Sequence, residues 1–127
     1  METVNATAGK NAADVQGDGS VVLFEFTPLT TANADSAPIE FVQWADACVQ
    51  VNGTWGAGGA AAIEGSNDGT NYFALNSAQG TALTLSANGL KQIVERPRFI
   101  RARVTGGDGT TSLTATFVLR RANPLRT

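Results

Sequence analysis

Five Asx-Gly dipeptides punctuate the chain: Asp18-Gly19, Asn52-Gly53, Asp68-Gly69, Asn88-Gly89 and Asp108-Gly109. Each joins a residue that tolerates positive φ to one that adopts it freely, which is the chemistry of tight turns. Short segments rich in β-branched and aromatic residues fill the intervals. Val21–Thr27 reads as a strand stopped by Pro28, and residues 30–37 read as a loop. Ile39–Trp44 and Cys48–Val51 follow, the second with Val49 and Val51 on one face. Ala60–Glu64 and Asn71–Leu75 read as a strand and its return, and Leu83–Leu85 and Leu90–Val94 as a pair around Asn88-Gly89.

The last third carries the strictest pattern. In Arg98–Val104, Ile100, Ala102 and Val104 share one face, while Phe99, Arg101 and Arg103 share the other. After Gly106–Gly109, Leu113, Ala115, Phe117 and Leu119 alternate with Thr114, Thr116 and Val118. Period-two alternation of this length predicts half-buried antiparallel strands, here expected to form a closing hairpin. The Ala-rich residues 6–13 are interrupted by Gly9 and carry no apolar stripe at helical spacing. The fold expected is all-β: an antiparallel β-sandwich, jelly-roll-like, of eight or nine short strands. It occupies a single domain over residues 20–127, preceded by an extended N-terminal arm over residues 1–19, expected to be disordered alone or ordered only against a partner.

Composition narrows the function. The 127 residues include no His and one Cys. Ser-His-Asp and Cys-His nucleophile pairs, His-ligated zinc and paired-Cys sites are thereby excluded. No carboxylate pair stands in a context that predicts acid and base roles, so the chain reads as a non-enzyme that needs no cofactor or metal. The N-terminal residues have neither the basic nor the apolar region of a secretory signal, and no apolar run approaches the ~18 residues of a membrane helix. We therefore expect no membrane partner and synthesis in a reducing cytoplasm.

The net charge of −2 conceals a division. Residues 1–90 hold one base, Lys10, against nine acids, whereas residues 91–127 hold eight bases, seven of them Arg, against Glu95 and Asp108. Such asymmetry suits oriented assembly, and intramolecular pairing can absorb about half of these Arg residues. Arg101 and Arg103 share a face with Phe99, a pattern that single-stranded nucleic-acid binders use. The acidic balance and the two Lys argue against that footprint, and no direct nucleic-acid partner is expected.

Local motifs resolve mostly into turns. Aligned on Gly69, an EF-hand pattern places Leu75 where a bidentate Glu is required, so Ser66–Asn71 reads as a hairpin turn. Gly56-Ala57-Gly58-Gly59 lacks the Lys and following helix of a phosphate loop and reads as a connection. Cys48 reads as a small buried residue. Core packing accounts for Phe24, Phe26, Phe41, Phe99 and Phe117, while Trp44, Trp55, Tyr72 and Phe73 stand at strand ends or beside turns. Trp55, beside the Gly-rich connection, is the aromatic best placed on a binding surface. Trp55, Arg101, Arg103, Arg120 and Arg121 are the candidate partner contacts.

Ala62-Ile63-Glu64-Gly65-Ser66-Asn67-Asp68-Gly69-Thr70-Asn71-Tyr72-Phe73-Ala74-Leu75, followed by Pro97-Arg98-Phe99-Ile100-Arg101-Ala102-Arg103-Val104-Thr105-Gly106-Gly107, resembles a two-part arrangement found in tailed-bacteriophage structural modules. The resemblance spans roughly residues 47–120 and is to small β-sandwich capsid decoration (cement) proteins. It implies a virion protein on the outer capsid surface, made in the host cytoplasm, that binds the major capsid protein and copies of itself as dimer or trimer. It also implies that the chain bridges and stabilises neighbouring capsid subunits. A Ser-Asn-Asp-Gly hairpin occurs as well in carbohydrate-binding sandwiches, so a host-adhesion module using Trp55, Asn71 and Tyr72 is the alternative. A phage tail or head-tail structural protein is a third reading.

Overall fold

Alternating strands bury one row of side chains each, and two such sheets stacked face to face satisfy both rows. The computed structural model describes residues 3–4, 12–14, 21–41 and 44–121, and it takes this form. Twelve strands are present among the described residues: β1 (Thr3–Val4), β2 (Ala12–Asp14), β3 (Val21–Leu29), β4 (Asp35–Ser36), β5 (Ile39–Glu40), β6 (Trp44–Thr54), β7 (Ala60–Ser66), β8 (Phe73–Ala74), β9 (Thr84–Leu85), β10 (Gly89–Ile93), β11 (Phe99–Gly106) and β12 (Ser112–Arg121). No helix occurs among the described residues.

One sheet runs β1-β4-β11-β7-β8, with β5 also on β11 and β9 also on β7. The other runs β10-β6-β12-β3-β2. Pairing is antiparallel throughout except between β1 and β4. The chain is therefore an antiparallel β-sandwich, and successive strands repeatedly cross from one sheet to the other. Ile100, Ala102 and Val104 of β11 and Leu113, Ala115, Phe117 and Leu119 of β12 form the facing inner rows, all buried. Phe26 meets Phe117 edge-on at 5.9 Å between centroids, near the middle of the core.

The structure departs from the sequence reading at several points. β11 and β12 do not pair: each lies at the centre of a different sheet, and the 107–111 turn steps between layers. Their matched alternation reflects two rows facing each other across the core rather than a hairpin. Likewise β9 joins β7 and β10 joins β6, so Asn88-Gly89 also links the two sheets. Asn52-Gly53 is not a turn but lies within β6, where Gly53 (φ +138°) faces Ser112 and Leu113 too closely for any Cβ. β3 does not stop at Pro28. Thr27 and Pro28 stand opposite the single residue Thr114, a bulge that exempts proline from the ladder. The loop over residues 30–37 contains β4. The expected strand Ile39–Trp44 is represented by β5 and the start of β6, with residues 42–43 outside the described residues.

Within the segment read as an arm, β1 adds to one sheet and β2 to the other. The rest of residues 1–19 lies outside the described residues.

Candidate functional site

The outer face of the β1-β4-β11-β7-β8 sheet gathers charge. β11 turns Phe99, Arg101 and Arg103 outward, and its neighbours place Glu64 opposite Arg101 and Asp35 opposite Arg103. Arg101 donates from Nε and a terminal nitrogen to Glu64 Oε1 at 3.0 and 2.8 Å. Its other terminal nitrogen lies 3.7 Å from Asp35. Arg103 closes the ring, with Nε 3.4 Å from Asp35 and a terminal nitrogen 3.6 Å from Glu64. Two cations and two anions thus alternate in a half-buried square. The Arg101 guanidinium also sits 3.9 Å from the Tyr72 ring centroid, a stacked cation–π contact. Burial raises the Tyr72 phenol pKa while the nearby Arg101 charge works the other way.

The square joins the segment over residues 62–75 to that over residues 97–107. Besides Arg101–Glu64, the Arg98 backbone N–H donates to Asn67 Oδ1 at 3.0 Å, and Gly69 passes close beneath the Phe99 ring. Within the turn, Asp68 accepts from the backbone N–H groups of Thr70 and Asn71 at 2.8 Å each and from the Asn71 side-chain amide at 2.8 Å. These donors, the Asn71 backbone first, hold the Asp68 carboxyl well below the usual carboxylate range. Both its oxygens are committed to N–H donors. Among the described residues no group of three or more His, Cys, Asp or Glu side chains could hold a metal ion.

Trp55 packs against the core and is half-buried. Its indole N–H donates to Asn88 Oδ1 at 2.8 Å, and the same oxygen accepts the Gly53 N–H at 3.1 Å. Its carbonyl accepts from Thr111 Oγ1 at 2.7 Å. Asp108 braces the neighbouring turn by accepting from the Ala57 N–H at 3.0 Å and from the Thr110 N–H and hydroxyl at 2.9 and 2.6 Å. Chiefly through the Thr110 hydroxyl, its pKa is lowered to about 2. Gly56 (φ +72°) lies so near Asp108 and Thr111 that no Cβ fits, so the Gly-rich connection is a pinned turn.

The remaining candidates lie at the end of β12. Arg120 and Arg121 are exposed, and Arg121 lies 5.4 Å from the Trp44 ring centroid. Trp44 itself is buried in the core. The structure therefore joins Arg101 to Arg103 and leaves Trp55 and the Arg120-Arg121 pair at separate places. Phe99 faces outward beside Arg98 rather than into the core, because it shares the parity of Arg101. Cys48 is half-buried on an outer face rather than in the core, opposite in parity to the buried Val49 and Val51.

Sequence reasoning misses Asp35 and Asn88, whereas Phe73 is among the aromatics it places beside turns. Asp35 falls in the segment that reads as a loop, and Asn88 in a turn dipeptide that gives no sign of its role as an acceptor. Phe73 is 71% exposed beside a depression of about 340 Å³ lined by Asn67, Asp68, Asn71 and Pro97 among others.

No protein-family model matches this chain. No curated protein matches it either. Among solved structures, the crystal structure of SPBc2 prophage-derived protein YomS aligns with a TM-score of 0.55 at 11% identity. The alignment covers 78% of this chain and 93% of that one. At that identity the likeness is one of fold.

Proposed function

We propose that this chain is a non-enzymatic structural protein of a phage particle that decorates the outer capsid surface and bridges major capsid protein subunits. The observation that carries the reading is the fold likeness to a prophage-derived protein along nearly all of that protein's length. The motif resembling phage modules supports it, since its two halves build a single braced unit around Glu64, Asn67, Arg98 and Arg101. A rigid sandwich of this kind suits load-bearing contact. Several weak contacts to a lattice raise effective concentration enough for firm attachment. No reacting group, cofactor or nucleic acid enters the role, and the protein would be found on the virion surface.

Cosedimentation of the purified protein with undecorated phage heads tests the proposal. Saturable binding at physiological salt is expected, and protein left wholly in the supernatant would overturn it.

A second reading, a glycan-binding host-adhesion module, draws on exposed Phe73 beside the 340 Å³ depression. The residues first expected to serve it are engaged within the fold: Trp55 on Asn88, Asn71 on Asp68, and Tyr72 beneath Arg101. Binding on a glycan array that Phe73→Ala abolishes would favour this reading over decoration.

A further inference from the structure

The two outer faces differ in kind. On the β11 side the charges pair with one another within the chain. On the other sheet the registers of β10, β6, β12 and β3 lay out a flat grid with few charges. Its rows read Asp46–Arg120–Val21, with Val21 buried, then Gln92–Cys48–Val118–Leu23, then Leu90–Gln50–Thr116–Glu25, then Asn52–Thr114. Asp46 and Arg120 are cross-strand neighbours and both exposed, yet among the described residues neither has a charged partner within 4.0 Å. They flank a depression of about 560 Å³ lined also by Cys48, Gln92 and Val118. Leu90 at the grid's edge is 63% exposed.

We propose that this face packs against the same face of a second copy of the chain, about a twofold axis running along the strands between β6 and β12. Rotation about such an axis preserves strand direction and exchanges the two sides of the grid, so each row meets itself reversed. Asp46 of one copy then faces Arg120 of the other, and the symmetry makes the ion pair twice. By the same operation Cys48 meets Val118, Gln50 meets Thr116, and Asn52 meets Thr114. Leu90 comes to lie over Glu25 of β3 in the other copy, and Gln92 over Leu23. Small β-branched and amide side chains on both faces permit the sheet-on-sheet spacing of about 10 Å that aligned sandwiches use.

The thirteen grid positions, each about 4.8 by 6.8 Å, cover roughly 420 Å² per copy, or about 850 Å² in total. That is the size of a weak, reversible dimer rather than an obligate one. An axis along β10, the edge strand, would instead leave the two charges facing no strand of the other copy.

Charge-swapped variants test the arrangement without any capsid present, so the outcome is independent of the decoration proposal. Sedimentation velocity across micromolar to several hundred micromolar protein should show the wild-type chain passing from monomer to dimer. Asp46→Arg and Arg120→Asp should each remain monomeric over that range, with circular dichroism spectra like the wild type. Mixed one to one, they should form a heterodimer, because each new charge meets its opposite in the other copy. A monomeric wild type throughout the range would overturn the proposal and leave the face to another protein. Single variants that dimerise as the wild type does, or folded variants that fail to associate on mixing, would overturn the axis.

Discussion

Replacing Glu64 by Gln keeps the side chain's size and removes one of the four charges in the Asp35–Glu64–Arg101–Arg103 square. Glu64 accepts two Arg101 N–H groups on one oxygen at 3.0 and 2.8 Å. Its side chain is 10% exposed, against 17% for that of Arg101. Exposed ion pairs contribute about 0–1 kcal/mol, and removing one partner of a fully buried pair costs about 3–5 kcal/mol. The square lies between these limits. Asp35 remains as an anion for both Arg residues, and a neutral amide oxygen retains about half the strength of a charged acceptor. The expected loss is about 2 kcal/mol. With an unfolding entropy of about 2.1 cal/mol/K per residue, that lowers Tm by roughly 7 °C. Urea unfolding followed by tryptophan fluorescence measures the change, with Glu40→Gln as the comparison. Glu40 meets Arg98 at 3.4 Å with both side chains about half exposed. Its replacement should cost no more than about 0.5 kcal/mol. Equal effects from the two substitutions would refute the claim that the square is a stabilising element rather than surface decoration.

Further outcomes follow from other braces. Asn88→Ala removes the acceptor shared by the Gly53 N–H and the Trp55 indole, and should cost about 1–2 kcal/mol and red-shift tryptophan emission. Phe117→Ala, at a fully buried site, should cost about 3–5 kcal/mol and sharply reduce the yield of folded protein. The Asp108 carboxyl titrates at about 2 in the folded chain against its ordinary 3.8, so the unfolded chain takes up its proton first. The stability it contributes is whole above pH 4 and is lost as pH falls towards 2; the lowered Asp68 acts in the same direction. Urea midpoints at pH 5, 3 and 2 should decline less steeply in Asp108→Asn than in the wild type. Gly56→Val, at φ +72° with Asp108 and Thr111 against it, should unfold the 55–59 turn, seen as faster amide exchange of Ala57.

The faces of the strands were legible because parity is local. Ile100, Ala102 and Val104 against Arg101 and Arg103, and the Leu113–Leu119 row, could be read without knowing any neighbour. Strand partners were not legible, since alternation says which side is buried and nothing about what lies beside it. That is why β11 and β12 read as a hairpin. The Arg-rich end and the acidic beginning were visible as totals. That Asp35 and Glu64 flank Arg101 and Arg103 follows only once β11 is known to run between β4 and β7. Turn dipeptides signalled themselves through backbone preference, but the side chains of Asn88 and Asp108 act on residues 33 to 51 positions away, which no local pattern records. Trp55 drew attention as an aromatic beside a flexible loop; its indole N–H is bound and the loop is pinned.

Electron cryomicroscopy of undecorated heads incubated with the purified chain is the most direct measurement of the central claim. The account predicts sandwich-shaped density on the outer surface where neighbouring major capsid subunits meet. Bare heads at saturating protein and physiological salt, or density confined to a tail or portal vertex, would contradict it.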